Sequence, residues 1–438
     1  MQVFFCKKYY SLVKEKLHLV AACFSNYNKC RLAKKMRKKH ELTLKKICNK
    51  NKLKIVFLVF QKSVWKVDAV FKRMQQDPYF EPEILVCPYI QYGDERMYED
   101  MEKAYLFFKN KGYPVTKSQK ADRKWVKLEE IKPDMVFFTN PHNLTMPEYY
   151  EEAYLNYLSC YVPYFFLTTT CEDDQSIYND YFHNAMWKIF MPHQFSMDRA
   201  SNVSSIKGVN TLMTGYPACE GLVDEEKTTV NVWKKQLKKK KKIIFAPHHT
   251  IFEDAFQLSN FLTVAEIMVE LAIEHKEVVQ WSFKPHPILK SKLYLHPLWG
   301  NQKTDMYYDF WKNKEYTQLD EGEYTDLFLG SDSIIHDCGS FIAEYLFVEK
   351  PCAYLEFNGE SQLKSINNFG KYALEAYEKI RCKDDLVGFV AAVAKGSSAV
   401  NSCHKDFVKH YIQQFYKMNR PSTKILNHLI KSIKKEVN

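Results

Sequence analysis

Short apolar runs alternate with amphipathic stretches along the chain from residue 52 onward. Residues 54–60 read KIVFLVF and residues 134–139 read DMVFFT. Short runs that are rich in β-branched and aromatic residues predict buried strands. Residues 95–111 carry apolar side chains at helical spacing, and Gly112 follows them as a helix-ending residue. The first half is also predicted to contain helices over residues 63–75 and 147–159, and strands over residues 83–87, 162–167 and 187–191.

The same alternation restarts in the second half of the chain. The strands predicted there cover residues 243–246, 278–283 and 333–335, and a long helix is predicted over residues 259–274. Residues 341–347 are predicted to form a helix that Lys350 and Pro351 end, before a further strand. Strands that alternate with helices are typical of parallel, doubly wound sheets. The pattern therefore predicts an α/β protein.

The chain has 438 residues, a length that favours about two domains. We predict an N-terminal Rossmann-like domain over residues 51–230 and a C-terminal Rossmann-like domain over residues 241–403. The basic stretch KKQLKKKKK (residues 234–242) is interpreted as a solvated join between them. Residues 404–438 are predicted to form a helical segment, and residues 1–50 a basic amphipathic extension.

The positive charge of the protein is concentrated in this extension. Residues 1–50 hold fourteen Lys and Arg against two Glu, a net charge of +12, whereas the whole chain carries +11, so the remainder carries −1. Aromatic and aliphatic residues lie between the charges, as in helices that bind anionic membrane surfaces. The alternative is a solvated helix that packs on the body of the protein. Nucleic acid is not an expected partner, because no recognition motif or basic face accompanies the extension.

The cysteines and the hydropathy exclude several classes of protein. The twelve cysteines are scattered, with no Cys-x-x-Cys pair and no short Cys/His cluster. The sequence therefore predicts neither a zinc site nor a disulfide framework, and we expect no metal or other cofactor. A reduced, cytoplasmic setting is the simplest interpretation. Because no long apolar run occurs, we expect peripheral attachment to the inner face of the cell membrane and no membrane span.

Three of the predicted strands end in polar, titratable residues. The strand at 243–246 is followed by His248 and His249, the strand at 278–283 by Lys284 and His286, and the strand at 333–335 by Asp337, Gly339 and Ser340. The carboxyl ends of parallel strands share one edge of a sheet, and ligands bind beyond that edge. The turn at 339–340 would also begin a helix, whose free N–H groups favour an anion. We therefore predict a site for a phosphorylated ligand here.

Each of these residues also has a structural alternative. A single histidine beside a strand is often a hydrogen-bonding residue of the core, and a Gly-Ser turn can simply cap its helix through Ser340. For a ligand, Lys284 offers charge, and His286 offers a donor whose protonation changes near neutral pH. Glu344 lies one helical turn beyond Ser340, where it could hold ribose hydroxyls or face solvent.

Four stretches resemble the CDP-glycerol glycerophosphotransferases, the teichoic-acid polymerase family. SDSIIHDCGSFIAEYLFVEKP (331–351) resembles the family signature, and FKPHP (283–287) resembles its Lys-Pro-His-Pro stretch. IFAP (244–247) resembles a family strand that ends in Ala-Pro, and TGYP (214–217) its domain-closing Gly-x-Pro. The likeness runs loosely from about residue 131 to residue 356.

The resemblance implies a GT-B fold, in which two Rossmann-like domains face a cleft, with a cytidine-diphosphate donor in the C-terminal domain. The implied reaction moves glycerol phosphate, or a related alditol phosphate, from a CDP-linked donor to a hydroxyl of a glycan or polymer acceptor. CMP is released. Such a transferase would serve the synthesis of a cell-envelope polymer such as teichoic acid or capsule polysaccharide.

The chain departs from the family at two positions. Family polymerases carry a Trp-His-Gly motif whose histidine is a proposed base, whereas residues 165–170 here read FFLTTT. The family arginine after Ala-Pro is replaced by His248-His249. We expect His248 or His249 to be the base, with His183 or His193 as the next candidates. Two other interpretations stay open, a GT-B glycosyltransferase that uses a nucleotide sugar and a degenerate, non-catalytic relative that acts through its basic extension.

Overall fold

A computed structural model describes residues 2–170, 174–224, 230–252, 257–417 and 419–434. The chain forms two compact units. Unit 1 contains Met1–Tyr164, Asp174–Thr214 and Ser422–Asn438, and unit 2 contains Phe165–Asp173 and Gly215–Pro421. Among the described residues, no helix combines the length and the hydropathy needed to cross a membrane.

Unit 1 is built on a parallel sheet of seven strands in the order β3-β2-β1-β4-β5-β6-β7. The central strands are buried on both faces, which explains their continuous apolar sequences. The strands are β1 (Leu53–Val59), β2 (Phe80–Val86), β3 (Val115–Lys117), β4 (Met135–Phe138), β5 (Leu158–Tyr161), β6 (Lys188–Met191) and β7 (Thr211–Met213). The helices are α1 (Gln2–Ile47), α2 (Asp68–Gln76), α3 (Asp94–Asn110), α4 (Leu128–Ile131), α5 (Glu151–Asn156), α6 (Gln175–Tyr178), α7 (Tyr181–Ala185) and α8 (Gln194–Val203).

Unit 2 is built on a parallel sheet of six strands in the order β10-β9-β8-β11-β12-β13. Aromatic side chains such as Trp281, Phe283 and Trp311 fill its core. The strands are β8 (Lys241–Ala246), β9 (Val279–Phe283), β10 (Thr317–Leu319), β11 (Ser333–His336), β12 (Cys352–Leu355) and β13 (Glu378–Ile380). The helices are α9 (Phe261–Glu274), α10 (Leu289–Leu295), α11 (Gly300–Asn313), α12 (Thr325–Gly330), α13 (Phe341–Glu344), α14 (Glu360–Leu363), α15 (Asn368–Leu374), α16 (Lys383–Lys395) and α17 (Ser402–Phe407), and a π-type helical segment, Val408–Lys417, follows.

The last helix returns the chain to unit 1. Helix α18 (Pro421–Lys434) buries Ile425, Leu426, Leu429 and Ile433. Near its start, the hydroxyl of Ser422 accepts a hydrogen bond of 2.9 Å from the guanidinium of Arg73 in α2. The two sheets with alternating helices, and the helical N-terminal segment, confirm the predicted α/β fold class.

The strand predicted at residues 162–167 is wrong. The strand is β5 (Leu158–Tyr161), which begins soon after α5 ends at Asn156. Pro163 explains the difference, because proline has no N–H to donate to a ladder bond and is excluded from the middle of a sheet. The predicted helix at 147–159 is accordingly shorter, since its last residues belong to the strand.

Residues 165–170, which we call the 165–170 strap, pack within unit 2. The hydroxyl of Thr168 donates to the carbonyl of Gly339 at 2.6 Å, and the amide of Asn367 donates to the carbonyls of Leu167 and Thr169. A Cβ at Gly339 would lie 2.6 Å from the Thr169 methyl, so only glycine allows this approach. The strap therefore holds the turn that follows β11.

The second half of α1 packs on unit 1. Met36, Leu44 and Ile47 are buried, and the ammonium of Lys39 donates to the carbonyl of Leu155 at 2.6 Å. By contrast, Val20, Phe24 and Tyr27 are exposed. The extension predicted at residues 1–50 is thus integrated into unit 1 over its later part.

We expect deletion of residues 1–24 to leave the melting temperature of the protein nearly unchanged, and deletion of residues 1–50 to lower it sharply. The longer deletion removes Met36, Leu44 and Ile47 from the core. Leu44→Ala alone should cost about 2–5 kcal/mol of unfolding free energy. Thermal and urea unfolding of the three variants would check this, and equal stability of both deletions would show that α1 does not contribute to the core.

Candidate functional site

The strand register of unit 2 brings the three predicted strand ends together. Strand β8 lies between β9 and β11, with Ala246 opposite His336 and Phe245 opposite Phe283. Beyond the strands, the backbone N–H of His286 donates to the carbonyl of Pro247 at 3.1 Å. From β8 the chain continues to β9 and β10 on one side, and it then returns to β11 on the other side of β8. The site therefore lies at the topological switch point, where ligands bind in open α/β sheets.

Asp337 connects these segments from inside the protein. It is fully buried, and its carboxylate accepts backbone N–H groups of His248 at 2.6 Å and of Asn260 at 2.5 Å. Burial raises the pKa of Asp337 to about 6, and the hydrogen bonds from Asn260 and His248 limit the rise. The sequence predicts Asp337 as a donor-binding residue, and the structure shows that its carboxylate positions His248 through the backbone.

Three histidine rings form a cluster at this edge. The ring centroid of His249 lies 4.2 Å from those of His248 and His286, and the His248 and His286 centroids are 5.2 Å apart. One ring nitrogen from each residue lies within 4.8 Å of the others. The predicted residues His248, His249 and His286 are therefore brought together.

Local hydrogen bonds fix which nitrogen of His248 carries the proton. The hydroxyl oxygen of Thr250 accepts backbone N–H groups of Leu258 and Ser259, at 3.0 and 3.1 Å, which occupy both of its lone pairs. Its own hydrogen therefore donates to Nδ1 of His248, 3.0 Å away. Neutral His248 thus carries its proton on Nε2.

His286 has the same tautomer for a different reason. Its Nδ1 accepts the backbone N–H of Ile288 at 3.4 Å, so the neutral ring carries its proton on Nε2. Burial lowers the pKa of His286 to about 3, and the neighbouring His249, Lys292 and Lys284 contribute to the same shift. Both histidines are therefore neutral hydrogen-bond donors at neutral pH.

The cluster is better suited to an anion than to a metal ion. Three histidines at this spacing resemble a metal site, but a ligating histidine must offer a lone pair, and the tautomers of His248 and His286 place a proton on Nε2. The charges of Lys284 and Lys292 act on the ring of His286. Nε2–H donors beside ammonium groups favour phosphate oxygens.

The other predicted donor-binding residues differ in their exposure and in their hydrogen bonds. Lys284 is buried, and its ammonium donates to the carbonyl of Gly322 at 2.7 Å and lies over the ring of Tyr324. Glu344 is fully buried and accepts the hydroxyl of Tyr324, so it does not face solvent. Ser340 is partly exposed at the start of α13.

Helix α13 is too short to supply a strong dipole. It spans only Phe341–Glu344 before a 3-10 turn, and Ser340 makes no side-chain cap bond. The anion site predicted at this helix start therefore depends mainly on the histidines and lysines. Sequence reasoning missed Thr250, Asn260 and Lys292, whose roles follow from contacts that no motif signals.

His183 and His193, the next candidates for the base, both lie in unit 1 and are buried. His193 precedes α8, and its Nδ1 accepts the backbone N–H of Ser196 at 3.0 Å. His183 lies in α7, and its Nδ1 accepts the backbone N–H of Asp180 at 3.3 Å. Both histidines therefore act first as helix-capping residues.

Residues 172–362 match the family described as CDP-Glycerol:Poly(glycerophosphate) glycerophosphotransferase. The resemblance to this family is confirmed. The glycerophosphotransferase match includes every candidate residue of the histidine cluster and of the turn after β11. No curated protein sequence matches the chain.

Solved structures confirm the fold of the chain. The wall teichoic acid polymerase TagF, as an H444N variant, is similar with a TM-score of 0.57 and 14% identity, covering 92% of this chain and 94% of that one. UDP-GlcNAc 2-epimerase from Methanocaldococcus jannaschii is similar with a TM-score of 0.52 and 12% identity, covering 86% of this chain and 99% of that one. At these identities the likeness shows a GT-B-like fold. It carries no information about the activity of the chain.

We expect the unfolding free energy to fall as the pH is lowered from 6.5 toward 3. Burial lowers the pKa of His183, His286 and His336 to about 3, so each stays neutral when folded but takes up a proton on unfolding. Each contributes a slope of about 1.4 kcal/mol per pH unit within that window. Asp337 opposes the trend below pH 6 because its folded pKa is raised. The three histidines together have the larger effect, because Asp337 is a single group.

Urea unfolding at several pH values would check this, with His336→Gln as a variant whose dependence should be shallower. His336 is fully buried and outside the ring cluster, which makes it a suitable probe. A stability that does not change between pH 6.5 and 4 would contradict the neutral state of these histidines.

Proposed function

We propose that this protein is a transferase that moves glycerol phosphate, or a related alditol phosphate, from a CDP-linked donor to a hydroxyl of a glycan or polymer acceptor. The observation that carries the proposal is the cluster of His248, His249 and His286 beside Lys284, at the switch point of unit 2. The cluster lies inside the glycerophosphotransferase match. A structure of TagF, whose fold is similar, was also solved after a soak with CDPG.

In this proposal the cluster holds the pyrophosphate of the donor. Nε2–H groups of His248 and His286 donate to phosphate oxygens, and the charges of Lys284 and Lys292 balance the negative charge. His248 and His286 stay uncharged before the donor binds, which avoids burying imidazolium groups without a partner.

The transfer follows from the position of the held phosphates. The acceptor hydroxyl oxygen bonds to the phosphorus that carries the glycerol, and the bond from that phosphorus to the bridging oxygen breaks. CMP leaves with the bridging oxygen and its electron pair. The hydroxyl proton must pass to a base.

The base role expected for His248 does not fit its tautomer. A base needs an available lone pair, whereas Nδ1 of His248 accepts the Thr250 hydroxyl and Nε2 carries a proton. The same holds for His286, whose Nδ1 accepts the Ile288 N–H. We therefore assign both histidines to the donor phosphates.

We expect His286→Ala to weaken CMP binding by roughly ten- to a hundredfold, because a hydrogen bond to a charged group is worth about 1.5–3 kcal/mol. His286→Gln should retain most of the affinity, since its amide can donate from nearly the position of Nε2. Calorimetric titration with CMP, CDP-glycerol, CDP-ribitol and UDP-GlcNAc would measure both effects.

His296→Ala is a matched control for this experiment. His296 also lies in unit 2, and its Nδ1 accepts the N–H of Leu298 just as His286 accepts that of Ile288. Unchanged CMP affinity in His286→Ala would misplace the phosphate site. Preference for UDP-GlcNAc over the CDP compounds would favour a nucleotide-sugar glycosyltransferase, and binding of none would favour a non-catalytic role.

We further propose that α1 attaches the protein to anionic lipid. The basic residues that would contact the lipid lie on the solvent-exposed side of the second half of α1, the half that packs on unit 1. Lys29 is buried, and Lys39 and Lys50 are bonded within unit 1. The exposed basic residues of this half are Arg31, Lys34, Lys35, Arg37, Lys38, Lys45 and Lys46. Each charge near an anionic surface is worth on the order of 1 kcal/mol before screening.

We expect a variant in which Arg31, Lys34, Lys35 and Lys38 are all replaced by Gln to lose sedimentation with phosphatidylserine vesicles at low salt. The control changes three exposed lysines elsewhere to Gln, Lys235, Lys238 and Lys239. High salt should detach the wild type, because the attraction is screened. Equal binding of both variants would refute attachment through α1.

A further inference from the structure

The basic stretch at residues 234–242 packs along one edge of unit 2. The backbone N–H of Lys234 donates to the side-chain oxygen of Gln318 at 2.8 Å, and the amide of Gln280 donates to the carbonyl of Lys234 at 2.8 Å. Gln318 lies near the start of β10 and Gln280 near the start of β9, and β8 begins at Lys241. The stretch therefore crosses the amino-terminal ends of three strands, whereas the histidine cluster lies beyond their carboxyl ends.

Two of its lysines anchor the stretch by capping helices. The ammonium of Lys234 donates to the carbonyls of Lys312 and Lys314, at 2.7 and 3.1 Å, where α11 ends. The ammonium of Lys240 donates to the carbonyl of Lys276 at 2.6 Å, just after the end of α9. The last carbonyls of a helix lack N–H partners and favour cations. The positions of Lys234 and Lys240 are thus fixed by the fold.

Between these anchors the chain stands out into solvent. The amide of Gln236 donates to the carbonyl of Glu315 at 2.8 Å, but the next residue, Leu237, is 97% exposed. The remaining lysines here are also exposed, and in the part of the chain that the structure describes their ammonium groups make no hydrogen bond or ion pair: Lys235, Lys238 and Lys239. These three charges are therefore free to meet an anion.

The helix-capping contacts gather lysines from three segments into one line, which we call the lysine row. Its members are Lys234, Lys235, Lys238, Lys239, Lys240, Lys276, Lys312 and Lys314. The seven residues from 234 to 240 span at most about 25 Å when extended. Exposed carboxylates of Glu277 and Glu315 lie in the same segments as the flanking lysines. The positive charge is consequently dense along the row but narrow across it.

This shape favours a linear anion over a flat one. A membrane surface would bring anionic headgroups against Glu277 and Glu315 as well as against the lysines. A chain of phosphodiesters can follow the lysines alone. Lysine also suits a flexible chain, since its ammonium is a point charge that does not require a fixed bidentate geometry.

We propose that the lysine row binds the phosphodiester backbone of the acceptor or product polymer. The inference rests on the proposed glycerophosphotransferase reaction, whose product would be such a polyanion. Because β8 has six residues, which extend about 20 Å, the row cannot hold the end of the chain that reacts at the other edge of the sheet. It holds an earlier part of the polymer, which raises the effective concentration of the reacting end. The row therefore acts on long acceptors and not on short ones.

The test uses the full-length protein with Lys235, Lys238 and Lys239 all replaced by Gln. We expect its affinity for a glycerol phosphate polymer of about twenty units to fall roughly tenfold at low salt. A lysine that neutralises a phosphate of a flexible polyanion contributes about 0.7 to the log–log salt dependence, so the slope should decrease by about two. KM for the long acceptor should rise by a similar factor, and turnover with a glycerol phosphate dimer should not change.

A matched control replaces three exposed lysines elsewhere in unit 2, Lys371, Lys405 and Lys409, by Gln. An equal loss of polymer affinity in both variants, or no loss in the first, would overturn the inference. An equal loss of turnover with the dimer and the polymer would also overturn it, because the change would then act on the reaction itself. Polymer binding by a wild type that releases no CMP from CDP-glycerol would support the row and refute the proposed function.

A lipid surface is distinguished through Leu237. Leu237→Ser should leave the polymer affinity unchanged, since a phosphodiester chain needs only the charges. Insertion into lipid would depend on this side chain. Sedimentation with phosphatidylserine vesicles that is lost both in Leu237→Ser and in the triple lysine variant would assign the row to the membrane and overturn the inference.

Discussion

The two hydrogen bonds that Asp337 accepts from the backbone of His248 and Asn260 determine the geometry of unit 2 at its switch point. They connect the end of β11 with the segment after β8 and with the start of α9. A buried carboxylate is costly unless it is bonded, and charge-assisted bonds to N–H groups are among the strongest in proteins. Because His248 is held by its backbone, Thr250 can orient its ring, and the donor character of the whole cluster follows from that arrangement.

The two units use one topological principle. In unit 2 the strand ends present N–H donors and lysines, which match the oxygens of phosphates. In unit 1 they present His142, whose Nε2 lies 3.3 Å from the hydroxyl of Tyr164. Parallel strands leave their carboxyl ends at one edge, so a short polar segment after each strand is enough to build a site.

The apolar pattern predicted the strands and the place where His248, His249, Lys284 and His286 meet, because parallel strands align their ends. It could not show that Asp337 and Glu344 are fully buried, since burial depends on segments distant in sequence. The 162–167 strand was misplaced because the apolar run outweighed Pro163.

The order of the chain through the units has a consequence for synthesis on the ribosome. The 165–170 strap belongs to unit 2 but emerges before most of that unit exists, and α18 completes unit 1 only after unit 2 has been made. Neither unit can reach its final packing as a contiguous nascent segment, although domains generally fold in the order of their synthesis. A nascent chain that stops before α18 would leave the surface that Ile425, Leu429 and Ile433 cover open to chaperones.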